Sequence, residues 1–253
     1  MNSPLDATTS DQRPNADALP HHRTAKIRGI VFDKDGTLFS YDGTWGPWTG
    51  SFIEYITDGD PELSRELAAR LEYDRETGTF LPTSPAIAET MDFMIDTVMG
   101  TVPGLDRGEL WDYVIESTSH APQAPSVPLL PLLERLTAAG YAMGVATNDA
   151  IEPANVHLKN AGIFEHFAFV AGYDSGYGSK PEPGMLTAFC ELADIAPEEC
   201  LMIGDSLHDL TAGRSAGMIT MGVLTGPASA DELAPLADVI APDIGHLPRI
   251  LRL

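Results

Sequence analysis

Residues 27–38 read IRGIVFDKDGTL: a short apolar run rich in β-branched residues, then Asp33, Lys34 and Asp35, then a turn through Gly36. Apolar character over a strand's length, with no polar alternation, predicts a strand buried on both faces, as in a parallel sheet. Upstream, residues 1–25 are polar, hold Pro and Asn and have no periodicity. They read as a disordered tail, and its His21–His22 pair reads as incidental rather than metal-binding.

Downstream, residues 51–120 read as helix after helix, in FIEYITDG, PELSRELAARLEYDRETG, PAIAETMDFMIDTVMG and RGELWDYVIESTSH, with no strand pattern between them. Asp60-Pro61 and Ser84-Pro85 each place a capping side chain before a first-turn proline. Gly78, Gly100 and Gly104 stand at plausible helix ends. The segment 121–128, APQAPSVP, reads as a linker. Beyond it, strand-like and helix-like segments alternate: YAMGVAT, FAFVAG, CLMIGD and ITMGVLTG are separated by helix-length stretches. That alternation predicts βαβ units and a Rossmann-like parallel α/β sheet with helices on both faces. The expected organisation is a tail at 1–25, one α/β core made of 26–40 and 126–253, and a helical insert at 41–125.

The 253 residues include 15 Lys+Arg and 37 Asp+Glu, a formal net charge of −22. Apolar residues make up 43% and charged residues 21%, close to globular usage. The acidity argues against a nucleic-acid partner and against docking on anionic membranes. It leaves room for a small phosphorylated substrate, because a bound cation reverses the local field. Cys190 and Cys200 make neither a disulfide framework nor a metal spacing and read as small buried hydrophobes. No apolar stretch is long enough to span a membrane, and no secretory signal is visible. A cytoplasmic protein is expected.

Parallel α/β sheets bind ligands at the carboxyl ends of their strands. Four ends carry polar groups here: Asp33 and Asp35; Thr147 and Asn148; Lys180, in the loop after FAFVAG; and Asp205, with Asp209 on the helix that follows. Residues i and i+2 of an extended segment project to one side, so Asp33 and Asp35 can face one substrate atom. Clustered carboxylates suit a hard divalent cation such as Mg²⁺. Free N–H groups in the turn after Asp33 and at the helix start near Asn148 can receive phosphate oxygens, and Lys180 offers a point charge to the same anion. A carboxylate can attack phosphorus, while a second protonates the leaving oxygen and later activates water.

These residues resemble the four motifs of the haloacid dehalogenase-like hydrolases: VFDKDGTL, VATND, Lys180 in GSKPEPGM, and LMIGDSLHDLTAGRSAGM, in the family's order. The resemblance covers nearly everything from Lys26 onward. It implies a phosphorylated nucleophile at Asp33 and a general acid/base at Asp35, whose backbone carbonyl also serves magnesium. It implies a phosphoryl hydrogen bond from Thr147, charge stabilisation by Lys180, a second magnesium carboxylate at Asp205, and Asp209 ligating through water or orienting the site. Gly36, Thr37 and Asn148 are the remaining candidates for substrate contact. The insert resembles the mobile cap of the phosphoglycolate phosphatase-like branch, which excludes water and helps choose the substrate.

Asp35 argues against dehalogenation, since the dehalogenase branch lacks an acid there. Phosphoglycolate is the leading named substrate; a sugar phosphomutase and a non-catalytic phospholigand-binding protein are the alternatives. Other residues have plainer readings. Lys34 reads as an exposed lysine and His208 as a surface residue. Trp45 and Trp48 either line the entrance or pack against the insert. Arg65, Arg70, Arg75 and Arg107 read as surface ion-pair partners. MDFMIDTVM reads as insert core. Asp209 is equally a first-turn helix carboxylate, and Asn148 equally a helix cap.

Overall fold

The computed structural model describes Thr24 and residues 26–81 and 83–253. The tail expected over 1–25, with His21 and His22, lies outside the described residues except for Thr24. That residue is buried and accepts a hydrogen bond from the Ile27 N–H.

Strand β1 (Gly29–Phe32) is followed by the insert, which contains two short strands, β2 (Tyr73–Asp74) and β3 (Thr79–Phe80). Then come β4 (Ala142–Ala146), β5 (Phe169–Ala171), β6 (Cys200–Gly204), β7 (Ile219–Val223) and β8 (Val239–Ala241). Six of these form a parallel sheet in the order β5-β4-β1-β6-β7-β8. β1 is central, with Gly29 opposite Ala142 on one side and Cys200 on the other. All four β1 residues are buried, and they alternate between two apolar layers. Ile30 and Phe32 join Leu133, Leu136, Val145 and Ile203 on one face. Val31 joins Phe189, Met202 and Ala212 on the other. Each such side chain contributes about 1.5–3 kcal/mol by leaving water, and coverage of both faces is why the strands read as unbroken apolar runs.

The chain runs outward from β1 through β4 to β5, then returns to β6 on the other side of β1. That reversal creates a crevice at the carboxyl ends of β4, β1 and β6. The insert stands over it. Its helices are Tyr41–Ile56, Pro61–Arg70, Pro85–Ala88, Met91–Met99 and Arg107–Ser119. They enclose a separate apolar cluster that includes Trp45, Phe52, Ile53, Leu67, Ile95 and Val114. The two connecting segments run side by side, with Ser40 N–H donating to Ala124 O at 2.7 Å and Ser126 N–H to Leu38 O at 3.0 Å.

The insert departs from the all-helical expectation. The helix from Pro61 ends at Arg70, and β2 and β3 pair antiparallel, Tyr73 opposite Phe80. Asp74 closes the turn by accepting from the N–H groups of Glu76 and Thr77 at 2.8 and 3.3 Å. Gly78 lies in that turn rather than at a helix end. The Tyr73 hydroxyl donates to Gly46 O at 2.7 Å, which ties the hairpin to the first insert helix. PAIAETMDFMIDTVMG is two helices, because Glu89 and Thr90 are extended. The first insert helix starts at Tyr41, well before Phe52, and runs through Pro47. A proline there removes one hydrogen-bonded rung, and burial of Trp45, Phe52 and Ile53 along the same helix offsets it. Asp60 and Ser84 cap their helices as expected. Among the described residues, no helix is long and apolar enough to cross a membrane.

Candidate active site

Asp33 immediately follows β1, and its N–H donates to Ile203 O at 2.8 Å, so the strand geometry holds through the first carboxylate. The chain then doubles back: Leu38 and Phe39 N–H both reach Lys34 O, at 2.9 and 3.0 Å. Gly36 takes φ +83°, a left-handed conformation. A Cβ there would lie 2.3 Å from an Asp205 carboxylate oxygen, and one on Gly226 would lie 1.7 Å away. Both glycines are therefore required for close approach to Asp205. The Thr37 hydroxyl donates to Asp205 at 3.2 Å from the same side.

Asp33, Asp35, Thr147, Asn148, Lys180, Asp205 and Asp209 all line one cavity beneath the insert. Gly36 and Thr37 are not among its lining residues; they support Asp205 from behind, and the Gly36 N–H is taken by Phe39 O at 2.6 Å. Of the turn N–H groups expected to receive phosphate oxygens, this one already has a backbone acceptor. Carboxylate oxygens of Asp33, Asp205 and Asp209 lie within 4.8 Å of one another, all three residues buried. The Lys180 ammonium donates to Asp33 at 2.5 Å and to Asp209 at 2.6 Å. Asn148 fixes the backbone of that lysine, its amide donating to Lys180 O and its carbonyl accepting from Lys180 N–H, both at 2.9 Å. The Thr147 hydroxyl accepts the Asp149 N–H at 3.0 Å. Asp209 also completes a capping box with Ser206, so it starts a helix and lines the cavity at once.

Three buried carboxyl groups share one ammonium. Burial pushes the Asp33 carboxyl up to about 7; Lys180 works against that, and Asp209 and Asp35 reinforce it. Asp205 is pushed well above its ordinary value by burial and by the charges of Asp209 and Asp33. Burial disfavours the Lys180 charge, but Asp209 and Asp33 outweigh it and raise that group.

Asp35 lines the same cavity but is not one of this triad. Its two oxygens are taken by the Trp45 indole N–H at 2.8 Å and by the Lys34 ammonium at 2.6 Å. Lys34 is fully buried, correcting the expectation of an exposed lysine. Its ammonium also lies 3.2 Å from Asp149 and 3.3 Å from His157 Nδ1, with the Trp45 ring 5.3 Å away. Burial and the Lys34 charge push His157 down to about 4. The imidazole is therefore neutral: Nδ1 accepts from Lys34, and Nε2–H donates to Thr118 O at 2.7 Å. Lys34, Asp149 and His157 form a buried cluster with Asp35 that the motif spacing does not reveal. One signal was available: a lysine inside a buried strand-end turn needs carboxylate partners, and Asp149 closes the second motif.

Trp45 and Trp48 line the cavity and also pack edge to face, 5.8 Å apart. His208, read as a surface residue, is half-buried and lines the cavity too. Arg70 pairs with Glu66 at 2.8 Å, Arg75 with Glu54 at 3.2 Å, and Arg107 with Asp92 and Asp96, all exposed. Cys190 and Cys200 are free, buried thiols.

The chain is 30% identical to the phosphoglycolate phosphatase of Vibrio parahaemolyticus over 227 residues, 85% of this chain and 96% of that protein. It is 38% identical to the phosphoglycolate phosphatase of Psychrobacter arcticus over 94 residues, 37% of this chain, and spans 41% of that relative's length. In fold it matches the crystal structure of a "predicted phosphoglycolate phosphatase" from Haemophilus somnus, with TM-score 0.70, 20% identity, and coverage of 89% of this chain and 98% of that one. Residues 27–217 match the family model of the haloacid dehalogenase-like hydrolases, which is most of the chain, and the chain belongs to that family.

Proposed function

We propose that this protein is a magnesium-dependent phosphatase that hydrolyses a phosphate monoester through a phospho-Asp33 intermediate. The observation that carries the reading is the pairing of carboxylates over one cavity: Asp33 held by Lys180 at 2.5 Å, and Asp35 facing the same space. Lys180 occupies one Asp33 oxygen, so the other attacks phosphorus as the ester P–O bond breaks. Thr147 accepts an N–H, which leaves its own hydroxyl proton for a phosphoryl oxygen. Asp35 delivers a proton to the leaving oxygen, then takes one from the water that cleaves the phospho-Asp33 bond. For that, one of its two donors must withdraw. Lys34 has Asp149 as a second partner, and Trp45 lies on the first helix of the insert, so movement of the insert would release Asp35. The insert then acts as a cap that excludes water.

The cation fits. Asp33, Asp205 and Asp209 form a buried triad of oxygen donors, and Asp35 would add its backbone carbonyl, as the family resemblance implies. Magnesium bound there would neutralise charge on the triad and on the phosphoryl oxygens. Relatives named for phosphoglycolate make that ester the first small phosphorylated metabolite to assay. Free cysteines whose sulfurs lie 3.6 Å apart suit a reducing cytoplasm.

The test is phosphate release from a panel of monoesters, with and without magnesium, beside Asp33→Asn. Magnesium-dependent release that the variant loses supports the reading. Normal turnover by Asp33→Asn refutes the mechanism.

A further inference from the structure

The insert's share of the cavity lining is largely apolar, with Tyr41, Thr49 and Thr118 as its neutral polar side chains. It is built from Trp48, Phe52, Ile87, Met94, Ile95 and Val98 among others. The Trp48 and Phe52 rings stack there at 4.9 Å and 10°. The cavity offers about 120 Å³ to the centre of a water-sized sphere, room for on the order of ten waters. Residues 41–125 contain no lysine and four arginines: Arg65, Arg70, Arg75 and Arg107. All four are exposed on the outside of the insert, and none lines the cavity. The charged group that the insert does contribute to the lining is an acid, Glu89. Lys180 is the one lysine or arginine among the described lining residues, and its ammonium is already shared by Asp33 and Asp209. His208 lies with the carboxylates, one residue before Asp209.

A leaving group that carries a carboxylate would be desolvated against indole, phenyl and thioether groups, with Glu89 nearby and no insert cation to pair with. A buried charge without a partner is strongly disfavoured, whereas an apolar group gains from the same wall. We infer that the substrate of this site is a phosphate monoester whose alcohol portion is aromatic or alkyl and carries no carboxylate. The inference rests on the phosphatase reading for the reacting end and departs from glycolate at the other.

The direct test compares 2-phenylethyl phosphate, ethyl phosphate and phosphoglycolate with the full-length enzyme in magnesium. Burial of a phenyl group gives 2-phenylethyl phosphate a kcat/KM about tenfold to hundredfold above ethyl phosphate, mostly through KM. Phosphoglycolate falls below ethyl phosphate. Met94→Arg, which places a guanidinium in the lining, lowers the phenyl preference and raises phosphoglycolate. Phosphoglycolate turned over as well as the phenyl ester by the unmodified enzyme overturns the inference while leaving the phosphatase reading intact. A binding measurement separates the two failures: quenching of tryptophan fluorescence by 3-phenylpropylphosphonate against phosphonoacetate. Tighter binding of the phenyl compound without turnover of any ester supports the ligand class and removes the phosphatase reading. Tighter binding of phosphonoacetate overturns the inference whatever the turnover.

Discussion

Replacing Lys34 by methionine keeps the aliphatic stem and removes the ammonium beneath the site. In the native protein that ammonium lies 2.6 Å from Asp35 and 3.2 Å from Asp149, and the lysine is fully buried. The variant leaves Asp149 in place without its cation, and breaking a buried pair by removing one partner costs about 3–5 kcal/mol. Against a total stability of about 5–15 kcal/mol, that is a large fraction. For a chain of this size it corresponds to a fall in Tm of roughly 6–10 °C.

The pH dependence carries a sign. Burial already raises the Asp149 carboxyl above its ordinary value, with Lys34 opposing the rise. Without Lys34 it rises further, so the folded variant keeps a proton that the unfolded chain has shed. Stability then falls as pH increases through that window. The deficit relative to the native protein is therefore smaller near about pH 5 than near about pH 8. Differential scanning fluorimetry at both pH values checks this, and Asp149→Asn in the Lys34→Met background restores part of the loss. A Tm unchanged by Lys34→Met at the higher pH, or a deficit that ignores pH, refutes the assigned pairing.

Magnesium raises Tm, and it does so more as pH increases through about 7, because the raised Asp33 carboxyl must lose its proton to bind a cation; titration of Tm against magnesium at several pH values reads this, and Asp205→Asn abolishes most of it. Gly36→Ala drives a Cβ into the Asp205 carboxylate and places alanine at φ +83°. It costs about 1–3 kcal/mol and weakens magnesium binding, measured by unfolding and by calorimetry. Asn148→Ala frees the Lys180 loop from its two 2.9 Å bonds. It lowers kcat more than it raises KM, by about tenfold to a hundredfold, with magnesium affinity little changed.

How far the sequence revealed the molecule depends on range. The sheet was legible because GIVF, AMGVA and CLMIG are buried on both faces and carry unbroken apolar runs. The carboxylates were legible because strand ends are local features. The β2–β3 hairpin was not: two-residue strands leave no alternating pattern, and a side-chain turn at Asp74 holds them. Lys34 was misread for a different reason. Its burial is set by Asp149 and by His157, 123 residues away, and no local pattern carries such a pairing. The hydrogen bond from Trp45 to Asp35 was equally hidden, since it needs the first insert helix to begin at Tyr41 despite Gly43, Gly46 and Pro47.

In the proposed reaction Asp33 carries the phosphoryl group. Acid-quenched enzyme taken during turnover of a phosphate monoester, reduced with tritiated borohydride and mapped by peptide mass, reads it directly. Label on the peptide containing Asp33, conversion of that residue to homoserine, and no label in Asp33→Asn are predicted. Full turnover with no modification at Asp33 would contradict the account.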